Sequence, residues 1–388
     1  MATDRRPPRQ AGDNDSRPTV ITVRGPVPAD SLGLTSMHEH VLCDATVYRR
    51  RSERTDPAAY AALLDGFPDA ERLEHAPVTL ETVGLCRSLY TLQLDNLRLD
   101  DHGVMAGELA DFYASGGRAV VEMSALGLRT DVTALRRLSE QTGVAIVAAA
   151  GLYIEDSWPE HVRGYTVTQF AESIASELVD GIDGTDVRAG HIKLAVTDLS
   201  AAQEAALRGG ARAALETGAL VTVHPGFEPG RDGRRISEVL VEEGLSPSRI
   251  VIAHADAFIV GTDLTQLVLD PASWALNLDY HRELLDRGVN ISFDCFGQSW
   301  TDEASGLVSE SDWHRLAAVV ELLKQGHGGQ LVLGTDVFMK MLTRRGGGEG
   351  YCRLTRWVLP SLRKLGVSEL EIERMTHGNP ARLLSSAG

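Results

Sequence analysis

The chain has 388 residues, 43% of them hydrophobic and 24% charged, and carries a formal net charge of −16. That composition supplies a core and excludes a chain disordered throughout, while the acidic balance argues against a phosphate-binding surface and so against a nucleic-acid partner. Four scattered cysteines without CxxC spacing, Cys43, Cys86, Cys295 and Cys352, exclude a disulfide framework and a zinc ribbon and fit a reducing compartment.

In chain order, residues 1 to about 18 are rich in Arg, Pro and Asp and have no apolar run. They read as a disordered tail ahead of a folded unit spanning 19–388. No later apolar run approaches the ~18 residues that cross a bilayer. The expectation is a cytoplasmic chain with no membrane partner. Eight short apolar runs follow, Leu32–His38, Arg118–Ser124, Val144–Ala149, Gly190–Val196, Leu220–His224, Ile250–His254, Gly288–Phe293 and Gln330–Thr335. Amphipathic stretches such as Asp131–Thr142, Ala201–Thr217 and Ser311–Gln325 separate them. Eight alternations of this kind predict an α/β fold, a single (β/α)8 TIM barrel. The segment from about Cys43 to Gly103 interrupts the pattern and predicts an insertion between strands 1 and 2. Gly346, Gly347, Gly348 and Gly350 mark a loop that is mobile, approaches something closely, or is a plain turn.

Residues able to hold a divalent cation sit at the ends of these runs. In Thr35-Ser36-Met37-His38-Glu39-His40 the strand period of two puts His38 and His40 on one face, although such a pair also arises as buried hydrogen-bonded histidines. His224, His254 and Asp336 each follow a different β-branched or aliphatic run, at the end of the barrel where chemistry is displayed. A buried Asp336 would need a cation or a donor.

Lys193 is one of only four lysines, with Lys324, Lys340 and Lys364, among a large excess of arginines. A strand lysine in such a chain points to a need for an amine, since guanidinium is effectively never deprotonated. A neutral amine adds carbon dioxide to give a carbamate able to bridge two cations. Taken alone, Lys193 also reads as a strand-end lysine paired with a carboxylate or reaching water. A two-metal hydrolase is the reading that uses all six residues. His75, His102, His161, His191, His281, His314, His327 and His377 read as surface or capping residues. Lys340, Arg344 and Arg345 read either as an anion-attracting mouth or as a solvated basic loop.

From about Thr19 through Leu384 the chain resembles the phosphotriesterase family of the amidohydrolase superfamily. The resemblance lies in Gly33-Leu34-Thr35-Ser36-Met37-His38-Glu39-His40, Ala189-Gly190-His191-Ile192-Lys193, Gly244-Leu245-Ser246-Pro247-Ser248-Arg249 before His254, and Asn379-Pro380-Ala381-Arg382-Leu383-Leu384. It implies a binuclear centre, commonly zinc but also cobalt or manganese, with His38, His40 and Asp336 on the more buried ion and His224 and His254 on the more exposed one. Lys193, as a carbamate, would bridge the two. In that scheme a shared hydroxide is the nucleophile and Asp336 takes its proton, so Asp336 and Lys193 are the catalytic residues.

Pro159-Glu160-His161-Val162, Gly181-Ile182-Asp183-Gly184-Thr185 and Gly347-Gly348-Glu349-Gly350-Tyr351 are similar to the phosphotriesterase-homology branch. That likeness favours a small-molecule lactone, ester or amide over a phosphotriester. Some members of the branch carry glutamate at the bridging position, whereas this chain keeps Lys193. The resemblance also implies a homodimer. A catalytically silent barrel that binds a small molecule is the alternative from another class.

Overall fold

The computed structural model describes residues 18–55, 57–65, 69–260, 263–302 and 307–385. The expected N-terminal tail lies outside the described residues. Eight parallel staves form the barrel: β1 (Thr35–Glu39), β2 (Ala119–Glu122), β3 (Ala145–Val147 and, after Ala148, Ala149–Leu152), β4 (His191–Ala195), β5 (Val221–His224), β6 (Ile250–Ile252), β7 (Asn290–Phe293) and β8 (Leu331–Leu333). The first part of β3 pairs with β2 and the second with β4. At the closing seam the Asp336 amide donates to the His38 carbonyl at 3.0 Å. Glu39 reinforces that seam by accepting from the Thr335 amide at 2.9 Å, the Thr335 hydroxyl at 2.6 Å and the Val337 amide at 3.1 Å.

The outer helices begin and end where their sequences dictate. Asp131 accepts from the Ala134 amide at the start of Val132–Thr142, and Gly143, at φ 77°, closes it in the left-handed conformation that glycine adopts without strain. Ser200 and Gly218 bracket Ala201–Thr217 in the same way, and Ser311 caps Asp312–Lys324. At the end of the barrel away from the candidate ligands, Val20 of an N-terminal hairpin and Leu383 of the last helix pack with Val121, Val147, Val251 and Val332. This apolar cluster closes the floor and leaves the other end open for chemistry.

Several sequence expectations need correction. The sixth and eighth runs stop as strands at Ile252 and Leu333, earlier than their apolar patterns. His254 and Asp336 then take left-handed φ values of 54° and 44°, a conformation that costs a side-chain-bearing residue energy and gathers at functional positions. His191 and His281 are not surface residues: both are fully buried. The Glu122 carbonyl lies 3.0 Å from His191 Nε2 and the Ala255 carbonyl 2.8 Å from His281 Nε2, which satisfies one nitrogen of each ring.

The residues between β1 and β2 include helices Val47–Thr55, Pro57–Asp65, Ala70–Glu74 and Val83–Ser88. They dock on the loop after β8, where Asn96 accepts from the Met341 amide at 3.0 Å and Arg87 donates to the Gly347 carbonyl at 2.9 Å. The basic residues of that loop are held in ion pairs, with Arg344 and Arg345 still exposed to water as the solvated-loop expectation had it. Lys340 pairs with Asp95 and Asp100, Arg344 with Asp111, and Arg345 with Glu108 and Asp111. The glycines serve close approach, since a Cβ on Gly346 would lie 1.8 Å from the Lys340 carbonyl oxygen.

Candidate metal centre

All six sequence-derived candidates meet at the open end of the barrel. The His38 and His254 rings are 4.7 Å apart, those of His224 and His254 4.6 Å, and those of His38 and His40 6.0 Å. Lys193 Nζ stands 3.4 Å from His38 Nε2. Asp336 Oδ1 is 3.6 Å from His38 Nε2 and 3.4 Å from His40 Nε2. Potential ligand atoms of His38, His254 and Asp336 all lie within 4.8 Å of one another.

The backbone explains why these side chains converge. His38 is the penultimate residue of β1, His224 ends β5 and Lys193 is central to β4, in register with Gly151 and Thr222. Gly151, at φ 102°, is required there because a Cβ would lie 2.4 Å from the Lys193 carbonyl oxygen. The turns at His254 and Asp336 bring in side chains from two strands that have already ended.

A set of partners that the sequence reading missed holds the rings. Asp294, just past β7, places Oδ1 2.8 Å from His254 Nδ1 and Oδ2 2.8 Å from His38 Nδ1. Ser124 Oγ is 2.8 Å from His40 Nδ1. These contacts occupy Nδ1 of three rings and leave Nε2 of each for another partner, the way carboxylates and hydroxyls orient metal-binding histidines. The Gln298 amide donates to the Asp336 carbonyl at 3.0 Å and to Oδ2 at 3.1 Å, which orients the carboxylate. Asp294 did carry a sequence signal, an acid at the tip of a strand run, as Asp336 does. Ser124, at the end of the second apolar run, and Gln298 carried none, because a lone hydroxyl or amide is not a distinguishing ligand type.

The donor set fits a divalent cation. His224 Nδ1 is buried and has no hydrogen-bond partner, a deficit that a bound cation removes. Burial, followed by the charge of Lys193, lowers His38 to about 4. Burial, followed by the neighbouring His254 and Lys193, holds His224 well below the usual imidazole range. Both rings are thus kept in the neutral form that coordinates metal. Burial would lower His254 too, but the Asp294 charge and hydrogen bond carry it upward. Burial also brings Lys193 down to about 8, against the opposing charges of Asp294 and Asp336, so a neutral amine is accessible near physiological pH. Aromatic side chains surround the cluster: Tyr153 stands 5.7 Å from the His224 ring with its hydroxyl against that of Tyr48, Phe227 packs 5.5 Å from His224, and Phe338 lies 6.3 Å from His40.

What such a mouth on such a barrel defines is a metal-dependent hydrolase. Residues 18–268 and 257–384 match the phosphotriesterase family, and the chain belongs to it. It is 28% identical over 374 residues to N-acetyltaurine hydrolase of Salmo salar, covering 94% of this chain and 97% of the relative. A resiniferatoxin-binding protein of Rhodobacter sphaeroides superposes with a TM-score of 0.81 at 31% identity, covering 94% of each chain. A single-site variant of the organophosphorus hydrolase of Deinococcus radiodurans has a TM-score of 0.68 at 26% identity, covering 95% of this chain and 98% of its own. Among the described residues, no helix is long and apolar enough to cross a membrane.

Proposed function

We propose that this chain is a binuclear metal-dependent hydrolase that cleaves a carboxyl-type bond, a lactone, ester or amide, in a small molecule. The observation that carries the reading is the convergence of His38, His40, His224, His254, Lys193 and Asp336 around buried ring nitrogens, among them His224 Nδ1, which has neither a hydrogen bond nor an ion pair among the described residues. His38, His40 and Asp336 would hold one ion, His224 and His254 the other, with Lys193 as a carbamate between them; zinc is the first candidate, manganese and cobalt the next. Two such ions supply Lewis acidity, lowering the pKa of water toward neutrality and drawing charge from the scissile carbonyl.

The chain's own residues supply the rest. Asp336 takes the proton of the attacking water on Oδ2, the oxygen to which the Gln298 amide donates. Asp294 keeps two of the rings in one tautomer and orientation throughout. The aromatic surround limits access of bulk water and strengthens the electrostatics inside. An amide is the first substrate to test, because the similar curated proteins are named N-acetyltaurine hydrolases. A phosphoryl centre is the second reading, supported by the likeness to an organophosphorus hydrolase.

The test joins metal analysis of the purified chain to a panel of N-acyl amines, lactones, aryl esters and an activated phosphotriester. The expected result is about two divalent ions per chain and turnover of a carboxyl substrate. A chain that stays metal-free and inactive after incubation with zinc or manganese plus bicarbonate overturns the reading in favour of a silent binding barrel.

A further inference from the structure

Behind the candidate centre lies an ion network that the chemistry above leaves unused. Arg315, in the first turn of the Asp312–Lys324 helix, is fully buried. Its Nε stands 3.1 Å from Asp256 Oδ1, and Nη2 is 3.6 Å from Glu310 Oε2. Its Nη1 donates to Asp312 Oδ1 at 2.7 Å and to the Gln298 carbonyl at 3.3 Å.

Two of these contacts lead to the centre. Asp256 is also fully buried, and its Oδ2 accepts from the amide of Asp294 at 2.8 Å and that of Cys295 at 3.4 Å. Asp294 in turn grips His38 and His254. The side-chain amide of Gln298, whose carbonyl faces Arg315, grips Asp336. One guanidinium therefore reaches His38 and His254, one from each proposed ion position, through Asp256 and then Asp294, and reaches Asp336 through Gln298 alone.

Packing alone does not account for this arrangement. Burying a cation among three carboxylates carries a desolvation cost that apolar residues of similar volume avoid. A rigid, multi-donor fork is needed where segments following different strands must be fixed against one another. Asp256 follows β6, Gln298 follows β7, and Arg315 stands on the helix that leads to β8.

We propose that Arg315 is a positioning residue for the metal centre, setting the placement of Asp294 and Asp336 through Asp256 and Gln298 and so the chain's capacity to hold two cations at once. The proposal rests on the reading of the six-residue cluster as a metal site. Cobalt(II) is the probe, because its visible bands report coordination geometry independently of turnover. The full-length chain and its Arg315→Met, Arg315→Lys and Asp256→Asn variants are loaded with cobalt chloride, and bound metal, visible spectrum and far-UV circular dichroism are measured.

Folded Arg315→Met and Asp256→Asn are expected to bind cobalt about tenfold more weakly or worse, with bound metal falling toward one ion and the bands displaced. Arg315→Lys, which keeps the charge and loses the fork, should fall between them and the parent. Full stoichiometry with the parent spectrum in either Arg315→Met or Asp256→Asn overturns the proposal. Should Arg315→Met not fold, Asp256→Asn decides, since it keeps volume and one acceptor. Failure of both to fold makes the network a folding device and also overturns it. A parent chain that binds no cobalt defeats the metal reading itself, an outcome visible before any variant is compared.

Discussion

Asp294→Asn tests whether one carboxylate organises both halves of the centre. The substitution preserves shape, but it offers one acceptor oxygen and one amide nitrogen where the carboxylate offers two oxygens. Each of those oxygens lies 2.8 Å from an Nδ1, one on His38 and one on His254. When both rings coordinate through Nε2, each Nδ1 carries a proton, so one ring keeps its acceptor and the other meets a donor. A buried donor left unsatisfied costs about 1–3 kcal/mol. At about 1.4 kcal/mol per factor of ten, that range overlaps the roughly ten- to hundredfold loss of metal affinity usual when such a partner is removed. Equilibrium competition against a colorimetric zinc chelator at fixed pH measures the change directly. Both ions should weaken, because the two rings belong to different proposed ion positions. Parent affinity for both ions, in a variant with unchanged circular dichroism, would refute the argument.

Lys193→Met removes the amine while nearly keeping the volume of a fully buried side chain; the expected outcome is a folded chain that no longer holds paired ions and whose metal content ignores added bicarbonate, read by elemental analysis. Gly151→Ala places a Cβ 2.4 Å from the Lys193 carbonyl oxygen at a φ of 102°, and should cost about 1–3 kcal/mol of stability, seen as a lower thermal midpoint. His281 is brought from 6.5 to about 4 chiefly by burial, so the unfolded chain binds its proton first as pH falls. Stability should therefore be lost as pH drops from about 6.5 toward 4, by on the order of 3 kcal/mol in full from this group. His281→Gln should flatten that limb in denaturant titrations; an unchanged slope would show that other groups set it.

The barrel was legible because its signal is local: apolar runs of strand length, each followed by a capped helix, with ligand-type residues at their ends. His38, His40, His224, His254, Lys193 and Asp336 were found through that position, and all six come together. The residues that hold them were harder to read. Asp294 had the same strand-tip setting as Asp336 but no neighbouring motif, and Ser124 and Gln298 acquire meaning only through contacts across the mouth. His191 and His281 looked like surface histidines because their partners are backbone carbonyls, which leave no mark in a sequence. The ion pairs of the basic loop went unread for a similar reason. Its counter-charges, Asp95, Asp100, Glu108 and Asp111, lie more than two hundred residues earlier, and only the fold brings them alongside.

That pairing bears on how substrates arrive. With Lys340, Arg344 and Arg345 each engaged by a carboxylate, the loop beside the mouth presents little local positive field against a chain of net charge −16. An anionic substrate would then diffuse inward against the long-range potential, and dissolved salt, by shortening the reach of that potential, should speed its capture while leaving a neutral substrate almost unaffected.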